Sequence, residues 1–236
     1  VLLASMCCHA QYFPHVKFSK FFDNRGQDMA KRIVKSSDEH LILGGQTVVE
    51  DAWGENCGNI WLVKADTSGN ILWEQEVRMA GCEELRALAP TQDGGVLFAG
   101  VTASLVHSEE QGDDGYSGNV FVGKIDSIGL IEWIQSYGGS QLDQAYALAT
   151  GDFKECMVVG SSHSPDGQVG YNAGMSDLWA LRLSDGGAIK ANQVLGGPQQ
   201  DWGTAIVQAP SGDFWVAGFS HSPSHGTRME GQGWLL

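Results

Sequence analysis

Charge is scarce in this chain, and positive charge scarcest of all. Only 18% of its 236 residues are charged, and 14 Lys and Arg stand against 28 Asp and Glu, for a formal net charge of −14. A field of that sign repels nucleic acid and anionic lipid headgroups, so the partners expected are cations, neutral glycans or proteins. No apolar run approaches the roughly 20 residues of a spanning helix, so no membrane insertion is expected. The chain also lacks a Gly-x-Ser-x-Gly elbow, a His-Glu-x-x-His pair, a P-loop and a spaced Cys-His metal set, which leaves catalysis without a visible owner. The expectation is a protein that is not an enzyme.

Cysteines are few. The first ten residues are apolar and end in Ala10 before Gln11, as the remnant of a secretory signal peptide and its cleavage site would. If Cys7 and Cys8 leave with it, Cys57, Cys82 and Cys156 remain, an odd number that makes no complete disulfide framework. Small buried packing residues are the expectation, with a Cys57–Cys82 pair as the alternative in an oxidising compartment.

Glycine is plentiful, at 32 residues, which fits many tight turns between short strands and speaks against long helices. An apolar-Gly step recurs at Gly45, Gly100, Gly160 and Gly218, about 58 residues apart. An acid opens each unit at Asp28, Glu83, Asp143 and Asp201, and an aromatic follows at Trp61, Phe121, Trp179 and Trp234. Within a unit four strand-length segments alternate with turn residues, for example Leu41–Gly45, Ile60–Lys64 and Ile71–Gln75. A four-stranded sheet cannot bury both faces alone, so repeated units stay dry by stacking around an axis. The fold class is therefore all-β, a β-propeller of four-stranded blades. Blades are expected at about 27–80, 81–138, 139–196 and 197–236, the last partial, within a propeller region of 11–236. Residues 16–22 match fourth-strand segments and are expected to complete a last blade, in an incomplete ring that belongs to a larger chain, as a monomeric module.

The segment 159–183, with Tyr137–Asp143, Asp93–Gly100 and Trp61–Trp73, resembles the repeat of secreted Bacteroidetes propeller proteins, often associated with type IX secretion. That resemblance covers about residues 18–236 and implies a secreted or cell-surface, non-catalytic module for binding, adhesion or scaffolding, with no agreed ligand. Ala191 departs from it, standing where the first two units have the fourth-strand Trp73 and Trp133. Asp66–Trp73 and Asp126–Trp133 are more weakly similar to the tryptophan-docking motif of quinoprotein propellers, in which the Trp stacks between blades. The other functional readings are a propeller enzyme, glycan-active or quinone-dependent, and a purely structural spacer.

Each candidate residue has a plain structural alternative. The acid column suggests a cation path if the first strand is innermost; the simpler reading has each carboxylate hold turn amides or pair with the column Lys64, Lys124 and Arg182. His163, His221 and His107 open the same long loop in different units, and three such loops would have to converge to ligate a metal, so turn histidines are expected. Among loop acids, Asp113, Asp114, Asp166 and Asp177 are of the hard-oxygen type calcium uses, without a D-x-D-x-D-G loop; calcium is the one cofactor weighed. The repeated aromatics are expected to pack between blades. Trp53, Tyr116 and Tyr171 lie in the variable loops and are the preferred contacts for a protein or glycan partner, beside His163 and His221.

Overall fold

The computed structural model describes residues 27–50, 56–79, 81–105, 116–223 and 232–235. Every sheet is antiparallel and built from strands consecutive in sequence. The first contains β1 (Gln27–Lys35), β2 (Leu41–Glu50), β3 (Asn56–Ala65) and β4 (Ile71–Val77). The second contains β5 (Cys82–Pro90), β6 (Val96–Leu105), β7 (Tyr116–Ile125) and β8 (Ile131–Tyr137). β9 (Asp143–Thr150), β10 (Cys156–Ser162), β11 (Asp177–Leu183) and β12 (Ile189–Leu195) form the third. β13 (Asp201–Gln208), β14 (Phe214–Ser220) and β15 (Gln232–Leu235) form a three-stranded fourth. This is the expected propeller architecture, with four blades in sequence that do not close into a ring. Segments 1–10 and 16–22, read above as leader remnant and completing strand, lie outside the described residues.

First strands of consecutive sheets pack on one another, β1 on β5, β5 on β9 and β9 on β13, so they line the hub. The sequence dictates which strands are covered. In the first three sheets the second and third strands are rich in apolar runs, such as Ile60-Trp61-Leu62-Val63, buried on both faces. Fourth strands mix polar residues in and stay exposed, β12 along most of its length. The core consequently lies in the junctions between sheets. Ile42, Ile60, Leu62, Leu85, Phe98 and Phe121 fill the first junction, and Leu97, Val122, Tyr137, Leu148, Trp179 and Leu181 the second. A smaller set, Val159, Leu178, Ala180 and Val216, fills the third. Trp61, Phe121 and Trp179 are all buried, with the indole N–H groups of the two tryptophans donating to Glu74 (2.7 Å) and Asn192 (2.6 Å). The side chain of Trp234 lies outside the described residues.

The outer strands are tied by tryptophan. Trp73 of β4 lies against Gly129 in the turn of the next sheet and donates its indole N–H to the Ser127 carbonyl at 3.1 Å. Trp133 of β8 repeats the arrangement on Gly187, donating to the Asp185 carbonyl at 2.6 Å. Both glycines have positive φ, 92° and 81°, and a Cβ on either would press on the indole, so the turn demands glycine twice over. Trp133→Phe keeps the ring and removes the donor. It is expected to lower stability by about 1 kcal/mol, read from urea unfolding.

Cys82 is disulfide-bonded, which departs from the packing role expected for it, whereas Cys156 is free and buried in the second junction. Burial pushes the Cys156 thiol up to about 12, which leaves it a packing group and not a nucleophile.

Candidate functional site

The repeated acids sit where the first strand begins, beside the end of the second strand and the start of the third. Strand register sets up the same row four times: Asp28, Thr47, Asn59; Glu83, Thr102, Asn119; Asp143, Ser162, Asp177; and Asp201, Ser220, Gln232. Glu83, Asp143 and Asp201 are buried to 1% exposure or less. The Asp143 carboxylate accepts from the Ser162 hydroxyl, from Ser164 Oγ at 2.9 Å and from the Gly139 amide at 2.7 Å. Asp201 accepts from the Ser220 hydroxyl, from Ser222 Oγ at 2.6 Å and from the Gly197 amide at 2.8 Å. Glu83 is bound by the Met79 and Gly81 amides and by Thr102, while burial, the larger influence, raises its carboxyl above the ordinary value.

Asp143 and Asp201 thus clamp the connection that leads into their own sheet to the loop that leaves its second strand, whereas Glu83 ties that connection to Thr102 within the second strand. The pairing with the basic column does not occur, because Lys64, Lys124 and Arg182 lie toward the other end of the third strands. Lys64 is bound there by Asp38 (2.6 Å) and the carbonyls of Gly94 (2.8 Å) and Ser127 (3.3 Å). Lys124 meets Asp185 (2.7 Å) and Glu132 (2.8 Å), and Arg182 meets Glu155 (2.6 Å).

The loop 163–176, between β10 and β11, is held at its base by this clamp. Ser164 Oγ also accepts from the Gln141 amide, Asp166 from the Ser140 amide, and Asn172 donates to the Ser162 carbonyl at 2.9 Å. Val169 plugs the loop into the second junction at 4% exposure. From that rigid base Tyr171 projects at 64% exposure and Met175 at 55%. On the same end a polar depression of about 330 Å³ is lined by Thr102, Ser117, Asn119, Ser136 and Gln141.

The other candidates are placed as follows. His163 is half-buried, with both its amide (3.0 Å) and Nδ1 (3.1 Å) at the Leu142 carbonyl. His221 is half-buried against Trp202 and Phe219, at ring separations of 5.7 and 4.6 Å. These two are therefore built into loop bases and not displayed on turns as expected, and the structure does not bring them together. Asp166 faces the Gly139 segment and Asp177 the start of the fourth sheet, so these two calcium candidates do not meet; among the described residues no three acids, histidines or cysteines gather as a metal site. Trp53, His107, Asp113 and Asp114 lie outside the described residues, as does the side chain of Tyr116. Sequence reasoning missed the serines: Ser162-His163-Ser164 and Ser220-His221-Ser222 repeat as a unit, and the hydroxyls do the holding.

Neither protein-family models nor curated protein sequences give a match to this chain. Among solved structures, a Synechocystis apocarotenoid oxygenase variant is similar at a TM-score of 0.37 and 10% identity, over 80% of this chain. The chain spans 55% of the length of that structure. A glucose dehydrogenase is similar at a TM-score of 0.32 and 11% identity, covering 89% of this chain and 82% of that one. At these levels neither likeness bears on activity, and the architecture rests on the sheets described above.

Proposed function

We propose that the chain is a secreted or cell-surface, non-catalytic propeller module that binds a protein or glycan partner through the loops at its acid end. The observation that carries this reading is the loop 163–176, whose base is fixed by buried carboxylates and serines while Tyr171 and Met175 face solvent. A rigid base with an exposed aromatic is the form in which scaffolds display contact residues, since little entropy is lost on binding. Asp143 and Asp201 are occupied on both oxygens with hydroxyl and amide donors, which suits a structural role better than proton transfer. The disulfide at Cys82 favours an oxidising compartment.

The test is a protein and glycan array probed with the full-length protein, followed by titration of any hit. Tyr171→Ala is expected to weaken binding at least about tenfold with an unchanged melting temperature. An array without binding partners, or a hit indifferent to Tyr171 and Met175, overturns this reading. Turnover of an arrayed glycan would favour the enzyme alternative instead.

A further inference from the structure

Asp177 breaks the pattern of its own row. The equivalent third-strand position holds the neutral amides Asn59 in the first sheet and Asn119 in the second, and Asn119 lies beside Asp143, the acid of the following sheet. In the third sheet the position holds a carboxyl group instead, with no exposed surface. Its Oδ2 accepts from the Ala173 amide at 2.5 Å, whereas Oδ1 finds no hydrogen-bond partner among the described residues.

That bare oxygen faces Asp201. A Cβ placed on Gly196 would collide with Asp177 Oδ1 and stand 2.8 Å from Asp201 Oδ2, so the two oxygens flank one glycine. Gly138 has the same relation to Asn119 Oδ1 and Asp143 Oδ2 one junction earlier, which makes Asn119 the built-in neutral control. Asp201 already receives three donors, Ser220, Ser222 and Gly197, and serves as acceptor on both oxygens. Two acceptor-only carboxylates cannot share a dry site without repulsion, whereas one neutral acid beside one carboxylate can. The elements packed on β11 offer no relief. β13 brings Asp201, β10 brings Ser162, and the segment after β12 brings Gly196 and Gly197, none of them cationic.

We propose that Asp177 is protonated in the folded protein and serves as a pH-sensitive lock on the junction between the third and fourth sheets. The proton comes from solvent and sits on Oδ1, leaving the position uncharged as it is at Asn119, whose own Oδ1 also has no hydrogen-bond partner among the described residues. Its release returns it to solvent and leaves two negative charges across Gly196. Burial is the largest influence on the Asp177 carboxyl and raises it above its ordinary value; the Ala173 amide opposes this, and the charge of Asp201, the smallest of the three, acts with burial. The folded state therefore binds more protons than the unfolded state once pH exceeds the ordinary carboxyl range, and stability from this site falls as pH rises. The lock does not depend on what the loop 163–176 binds.

The experiment is a set of melting curves on the full-length protein from pH 4 to pH 9, comparing the natural chain with Asp177→Asn and Asn119→Asp. Asp177→Asn is expected to melt about 2–4 °C higher at pH 8, with the gap closing toward pH 4. Asn119→Asp is expected to add a second decline with rising pH at the preceding junction, which decides the matter even if Asp177→Asn fails to fold. Parallel pH profiles for the natural chain and Asp177→Asn, or an Asn119→Asp profile without the added decline, overturn the proposal.

Discussion

Gly160→Ala is expected to destabilise the protein by about 3 kcal/mol, a loss out of proportion to one methyl group. The register of β9 against β10 slips between Val159 and Gly160, and the bulge turns the Gln144 carbonyl onto the Gly160 α-carbon, where a Cβ would overlap it. The same slip occurs beside Gly45, Gly100 and Gly218, where a Cβ would meet the carbonyls of Met29, Glu84 and Trp202. At Gly100 the Phe121 ring also closes on the space, at 2.8 Å. The obstacle is backbone on the hub strand, which cannot rotate away as a side chain would. Urea unfolding should show the midpoint fall with little change in slope. Gly186→Ala is the control, since a Cβ there meets nothing within 4 Å. A Gly160→Ala midpoint equal to that control would show that the hub bulge tolerates a side chain, and the account of the repeated glycine would be wrong.

These glycines show why part of the fold was legible in sequence. A bulge that recurs once per sheet imposes the same steric demand at the same interval, so Gly45, Gly100, Gly160 and Gly218 print the period directly. Phe121 and Trp179 do likewise, because each fills the corresponding position in successive junctions between sheets. The candidate site was harder. The acid column was visible, but its partners depend on which end of the third strand Lys64 and Lys124 occupy, and a period carries no information about ends. The histidines drew attention as titratable groups, although the flanking Ser162, Ser164, Ser220 and Ser222 make the contacts. Serine is common in loops and carries no signal alone. Its recurrence two residues apart, after the same glycine step, was the pattern to notice. Asp177 was read as one loop acid among several, because its meaning appears only when strand register sets it beside Asn59 and Asn119.

The lysine end should respond to pH in the opposite sense from Asp177. Lys124 is 4% exposed and gathers Asp185, Glu132 and, at 3.5 Å, Asp93, tying the strand turns of the second sheet to a turn of the third. Burial works against its ammonium, but the bonds from Asp185 and Glu132 and the charges of Asp185 and Asp93 outweigh it, and its pKa is raised. Burial likewise works against the Asp93 carboxylate, and the Thr91 hydroxyl, the Gly95 amide and Lys124 outweigh it, so that pKa is lowered. At the first junction Asp38 is held well below the ordinary range in the same way, burial being outweighed by Lys64, Ser36 and His40. Lys124→Ala leaves three carboxylates facing one another around a void. Because all three are more than a third exposed and can rehydrate, the expected loss is about 2–3 kcal/mol at pH 7, below the full cost of breaking a buried pair. A carboxylate whose folded pKa is depressed contributes stability above its ordinary pKa and loses it as pH falls through the folded value. The gap between the natural protein and Lys124→Ala should therefore be widest at neutral pH and narrow below about pH 4, as Asp93 takes up its proton. Lys124→Met, which restores apolar volume but no charge, should recover the packing part of the loss and none of its pH dependence. Urea midpoints for the three proteins between pH 7 and pH 3 separate the two contributions: a gap that stays constant across that range would mean that Lys124 acts through packing alone, and that charge does not hold these two sheets together.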